Sequence, residues 1–129
     1  MLPFTVTLRP GEPVYEQVVY AVRRAVVTGQ LRAGDPFPSV REMSQALKIN
    51  PNTAARIVAL LVEDKLLTVR PGIGTVVGDG SRGDATARRE VLEHETERLV
   101  VEARGHGVSL ADLIGAIKRH WARTITRER

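Results

Sequence analysis

Residues 39–58 read SVREMSQALKINPNTAARIV, and they write two helices around a connector of three residues. Ser39 with Glu42 three positions later is a capping box: the hydroxyl takes one orphan backbone N–H and the carboxylate reaches back to another. Val40, Met43 and Leu47 fall on one stripe, so a helix is expected over about 39–47. After KIN, Asn50 suits an N-cap and Pro51 a first helical position, because proline lacks the N–H that would go unpaired there. A second helix is expected over about 51–64, with Ala54, Ile57, Val58 and Leu61 inward. Its opening turns carry Asn52, Thr53 and Arg56, more polar chemistry than a helix that only fills a core requires.

Upstream, PVYEQVVYAVRRAVVT at 13–28 places Val14, Val18, Ala21, Val22 and Ala25 on one helical face, with Pro13 at the start and Gly29 at the stop. LRAGDPFP is a turn-rich connector. FTVTL at 4–8 alternates apolar and polar residues, which predicts a short half-buried strand. Downstream, LLTVR at 66–70 and GTVVG at 74–78 flank PGIG and predict a hairpin. Strand, helix, helix, turn, helix, hairpin is the order of a winged helix-turn-helix. In that arrangement the second helix of the pair enters the major groove N-terminus first. Asparagine suits adenine, arginine suits guanine, and the threonine methyl suits thymine.

DGSRGD at 79–84 reads as a linker, followed by a long charged helix over 85–104 that GHG stops. Ser109 and Asp112 resemble another cap, and a last helix over 110–126 carries Leu110, Leu113, Ile114, Ile117 and Trp121 on one face. The expected fold is therefore mainly α with a small β wing. A winged helix-turn-helix domain occupies 1–79, and a two-helix dimerisation tail occupies 80–129. Leu92, Leu99, Leu113, Ile117 and Trp121 form stripes too long for a core this small and are expected to bury against a second copy of the chain.

Of 129 residues 43% are hydrophobic but only 4% aromatic, so the core is aliphatic and deep pockets for flat ligands are not expected. The net charge of +4 favours a polyanionic partner. Residues 1–80 carry nine Lys and Arg against seven Asp and Glu, and residues 81–129 carry ten against eight. Neither part is a basic tail, so any charged site must come from folding. The absence of cysteine excludes disulfides and thiolate metal sites and suits a reducing cytoplasm. The N-terminus does not read as a signal peptide, and no stretch approaches the roughly 20 apolar residues of a membrane-spanning helix.

PVYEQ at 13–17, GQLRAGDPFPSVREMS at 29–44, NPNTAAR at 50–56 and PGIGTVV at 71–77 occur in one order over about half the chain. In these residues the chain resembles the GntR family of bacterial transcriptional regulators. NPNT and the short tail resemble its YtrA-type subgroup, whose members carry a small dimerising tail instead of a large effector domain. The resemblance implies a DNA contact from Arg41, positions 52, 53 and 56 on the recognition helix, and Gly72 at a wing tip whose backbone approaches the minor groove. Together with Ser39, Asn50 and Arg70, which are placed to meet phosphate or to fix the helix entry, the expected DNA-binding set is Ser39, Arg41, Asn50, Asn52, Thr53, Arg56, Arg70 and Gly72. The chain departs from the pattern with Phe37 for leucine, and with Lys48 and Lys65 where glycine is frequent. Both lysines are compatible with folding and add charge near the expected DNA face.

The expected partners are a palindromic double-stranded operator and a second copy of the chain, with repression by promoter occlusion. Other roles for each feature are blander: Asn50 and Ser39 as caps, Arg41, Arg56 and Arg70 as solvated surface charge, PGIG as a simple turn. His94, His106 and His120 show no zinc-ligand spacing, and no nucleophile, base and orienting group assemble, so neither metal nor cofactor nor catalysis is expected. Two alternatives are a winged helix used only for protein contact and a metal- or ligand-responsive regulator acting through the C-terminal helices. The short tail, poor in aromatics, offers little volume for an inducer, so the places expected for an effector are the dimer cleft or the junction of tail and DNA-binding domain.

Overall fold

Met43, Ile57 and Leu61 have no exposed surface, and the three helices that carry and surround them define the first unit. The computed structural model describes residues 2–79 and 85–124, which fall into two units, one on each side of the linker. Helix α1 spans Val14–Val27, α2 Val40–Leu47 and α3 Pro51–Glu63. Val18, Val22 and Ala25 of α1 meet Met43 of α2 and Ala54, Ile57 and Leu61 of α3 in one aliphatic cluster, as the 3.6-residue period of each segment requires. Pro13 is the residue before α1, rather than its first residue. Gly29 takes φ +84° just past the end of α1, a conformation in which a side chain would be strained.

Strands β1 (Leu67–Arg70) and β2 (Gly74–Val77) pair antiparallel, with Leu67 opposite Val77 and Arg70 opposite Gly74. The hairpin is held to the body by a segment that sequence reads as a mere connector. Gly34 N–H donates to Val77 O at 2.8 Å, Phe37 N–H to Thr75 O at 2.9 Å, and Val77 N–H to Asp35 O at 2.8 Å. Pro36 thereby bridges Val76 along the free edge of β2. The two prolines are tolerated because this is an edge segment.

Residues 4–8 form no strand, contrary to the alternation expected of them. The inward positions are real: Phe4 is buried and stacks on Phe37, ring centres 5.7 Å apart. Alternation reports which face is buried, whereas a strand also needs a ladder partner, and none pairs with this segment among the described residues.

In the second unit, α4 (Ala85–Arg89), a π-helical stretch (Glu90–Glu95) and α5 (Thr96–Gly105) follow without a break in helical backbone. The single α-helix expected over 85–104 thus contains a wider turn. α6 spans Leu110–Thr124, and its expected last two residues lie outside the described residues. Gly107 takes φ +75° in the corner before α6, and Ser109 Oγ accepts the Asp112 N–H at 3.0 Å. Ala103 is the one buried residue among those described in this unit.

Candidate nucleic-acid interface

The start of α2 is built as expected. Glu42 N–H donates to Ser39 Oγ at 3.1 Å, and Ser39 N–H donates to Glu42 Oε1 at 2.8 Å. The box leaves Ser39 and Arg41 exposed on the first turn. Burial of Met43 and Ser44 behind them fixes the direction in which Arg41 leaves the helix.

The turn between α2 and α3 depends on Lys48, whose φ of +57° makes it the left-handed residue that closes α2. Ile49 N–H donates back to Ser44 O at 3.1 Å. Asn50 Oδ1 accepts the Asn52 N–H at 2.7 Å, and Pro51 opens α3. Ala54 and Ile57 are wholly buried, which turns the opposite side of α3 to solvent. That side presents Asn52, Ala55, Arg56 and Ala59, while Thr53 is half-buried at its border. The two adjacent alanines therefore divide the work: Ala54 lets α3 pack closely on the core, and Ala55 keeps the outer face low.

At the wing tip, Ile73 N–H donates to Arg70 O at 3.0 Å across Pro71 and Gly72. Gly72 (φ +80°) and Gly74 (φ +116°) both stand where side chains are strained. Proline followed by a glycine at positive φ is the pattern of a type II turn. Arg70 and Gly72 are exposed.

The eight expected site residues thus occupy three places in one unit: the first turn of α2 (Ser39, Arg41), the opening of α3 (Asn50, Asn52, Thr53, Arg56), and the wing (Arg70, Gly72). The side-chain bonds within this set are local caps, and they leave the outward polar groups of Asn52 and Arg56 available. Among the described residues no carboxylate forms an ion pair with Arg41, Lys48, Arg56 or Arg70. Among the described residues of this unit the ion pairs are Arg9 with Glu12 and Arg23 with Asp64. Unpartnered cations on exposed helix openings favour an anion, and the free N–H groups of a helix N-terminus add to the attraction. Lys48 and Ile73 are further candidates that the sequence reading left out of the set. The lysine is signalled by its place in the tight turn. Ile73 is 71% exposed at the wing tip, and its signal is only a bulky apolar residue between two glycines.

Among the described residues no three His, Cys, Asp or Glu side chains assemble as a metal site, and no helix is long and apolar enough to cross a membrane.

Comparison with known proteins places the same segment in a common frame. Residues 14–77 match the model for bacterial regulatory proteins of the gntR family. The HTH-type transcriptional repressor YtrA of Bacillus subtilis (strain 168) is 26% identical over 111 residues, covering 85% of each chain. A GntR family transcriptional regulator from Listeria monocytogenes superposes with a TM-score of 0.65 at 28% identity, over 87% of this chain and 98% of that one. A transcriptional antiterminator from Listeria monocytogenes EGD-e superposes with a TM-score of 0.80 over 98% of this chain and 95% of that one. Its identity is 20%, so that likeness concerns the fold alone.

Proposed function

The chain belongs to the gntR family of DNA-binding transcriptional regulators, a family of regulators rather than catalysts, and from that premise we propose that it is a YtrA-type repressor. In this reading two copies bind one palindromic operator, and occupancy of the promoter is the mode of action. The observation that carries it is the solvent-facing opening of α3, where Asn52 and Arg56 lie uncovered on a helix whose other side is locked into the core. Asn52, Thr53 and Arg56 read base edges, Arg41 and Arg70 hold phosphates, Ser39 and Asn50 set the helix openings, and Gly72 lets the wing backbone approach the duplex.

One such unit reads too few base pairs to find a unique site. Two units on half-sites about 10 base pairs apart, centre to centre, or a multiple of that, overcome the shortage. The exposed aliphatic faces of the second unit supply the means of pairing them, and residues 1–79 and 80–129 divide the labour between reading and dimerising. A small effector acting at the dimer would change the spacing of the two reading helices. The setting is cytoplasmic, where the operator is.

Selection of bound duplexes from a random pool tests the proposal. The expected product is a two-fold symmetric sequence whose half-site spacing matches the dimer. Failure to enrich any sequence at low ionic strength would refute it and would favour a winged helix devoted to protein contact.

A further inference from the structure

The wide turn at Glu90–Glu95 falls in a helix whose aliphatic residues would otherwise be badly aligned. An α-helix advances about 100° per residue. On an uninterrupted helix Val91, Leu92, Leu99 and Val100 would spread over about 180° of the circumference, with Val91 and Val100 on opposite sides. A π turn accommodates one additional residue, closing i to i+5 instead of i to i+4. Such a bond is visible here: Thr96 N–H donates to Val91 O, and Thr96 Oγ1 reaches the same oxygen at 3.0 Å. The extra residue sets everything after it back by about 100°, which gathers the four aliphatics into an arc of about 120°. Ala87 and Ala103 fall on or beside the same arc, and Glu90, Glu93, Glu95, Arg98 and Glu102 fall outside it. Val101 is left on the polar side.

We infer that the π turn exists to assemble Val91, Leu92, Leu99 and Val100 into one seam, and that the seam's occupant is a second copy of this chain. The inference rests on the dimer proposed above and specifies which side of the helix makes it. α6 needs no such device, because Leu110, Ile114, Ile117 and Trp121 already align at ordinary α-helical spacing. The seam is left partly uncovered by its own unit: Val91 is 57% exposed, Leu92 69%, Leu99 42% and Val100 37%, and Trp121 of α6 is 69% exposed. An interface of standard size takes about 800 Å² from each partner, more than four partly exposed side chains offer, so the exposed Leu110, Ile114, Ile117 and Trp121 of α6 are counted with the seam. A two-fold dimer presents the same patch from both sides, so a single seam serves both copies.

The test compares three full-length variants, Val91→Glu, Val100→Glu and Val101→Glu, by sedimentation equilibrium, with circular dichroism confirming equal helix content. With the π turn, Val91 and Val100 both face the partner, so each of the first two variants is expected to raise the dimer dissociation constant more than tenfold. Val101→Glu is expected to leave it within about twofold. If only one of Val91→Glu and Val100→Glu weakens the dimer, or if Val101→Glu weakens it as much, the seam is wrong while the dimer stands. A wild-type chain that stays monomeric at every concentration overturns the dimer and the seam together.

Discussion

Asn52 and Arg56 stand about one turn apart on the exposed side of α3, close enough to address neighbouring base pairs. Replacing Arg56 with alanine is expected to cost about 1–3 kcal/mol of binding to the selected operator, the worth of one good bidentate base contact. The melting temperature should stay nearly unchanged, because no ion pair is lost among the described residues. Operator titration by fluorescence anisotropy alongside a thermal melt checks both halves, and normal operator binding by the mutant would remove Arg56 from the reading set. A second residue-scale expectation concerns His94, whose Nδ1 lies 2.7 Å from Glu90 Oε1. The bond and the charge of Glu90 raise the imidazole above its ordinary pKa of 6.5, with smaller help from Glu97 and Glu95. A raised folded-state pKa means that the pair supports the helix fully below about pH 6.5 and that this support fades as the pH rises through the folded value. An NMR titration of His94 should therefore show a midpoint above 6.5 that falls in Glu90→Gln; an unmoved midpoint would dismiss the pairing.

Elements were legible where their ends carry chemistry. Ser39 with Glu42, and Asn50 with Pro51, announce the starts of α2 and α3, and the apolar stripes between announce the buried sides. Two stops were harder to see, since Lys48 and Lys65 fill left-handed positions usually given to glycine, with φ of +57° and +66°. At Lys65 the cap is complete nonetheless: Lys65 N–H donates to Val62 O and Leu66 N–H to Leu61 O, both at 3.0 Å. The π turn was not legible, because EVLEHE contains nothing that separates a wide turn from an ordinary one. The false strand at 4–8 failed for the opposite reason, since its pattern was genuine but its partner was missing. Gly78 shows how a close approach hides in sequence as a plain turn residue. A Cβ there would lie 2.8 Å from Lys65 O and 3.1 Å from Thr68 Oγ1. Gly78→Ala is expected to destabilise the first unit by about 1–3 kcal/mol, since backbone rather than a flexible side chain must move. Urea unfolding measures this, and a midpoint equal to wild type would show that the strand end relaxes freely.

At the scale of the whole molecule, the proposed dimer doubles every contact. Each phosphate neutralised contributes about −0.9 to the slope of log K against log salt. Removing Arg70 as Arg70→Ala should therefore make the slope shallower by about 2 for a dimer and by about 1 for a monomer. Salt titrations of wild type and mutant on one operator separate the cases, and an identical slope would return Arg70 to ordinary surface charge. The union of wing and body was not foreseeable from the sequence. Gly34, Phe37 and Val77 share three backbone bonds between segments some forty positions apart in the chain. Those amides can meet solvent only when the hairpin lifts away with Phe37 and Val77, both otherwise buried. Hydrogen exchange at the three, divided by each amide's intrinsic rate, should consequently show one common protection, set by a clasp that opens rather than by a loose ribbon that flutters.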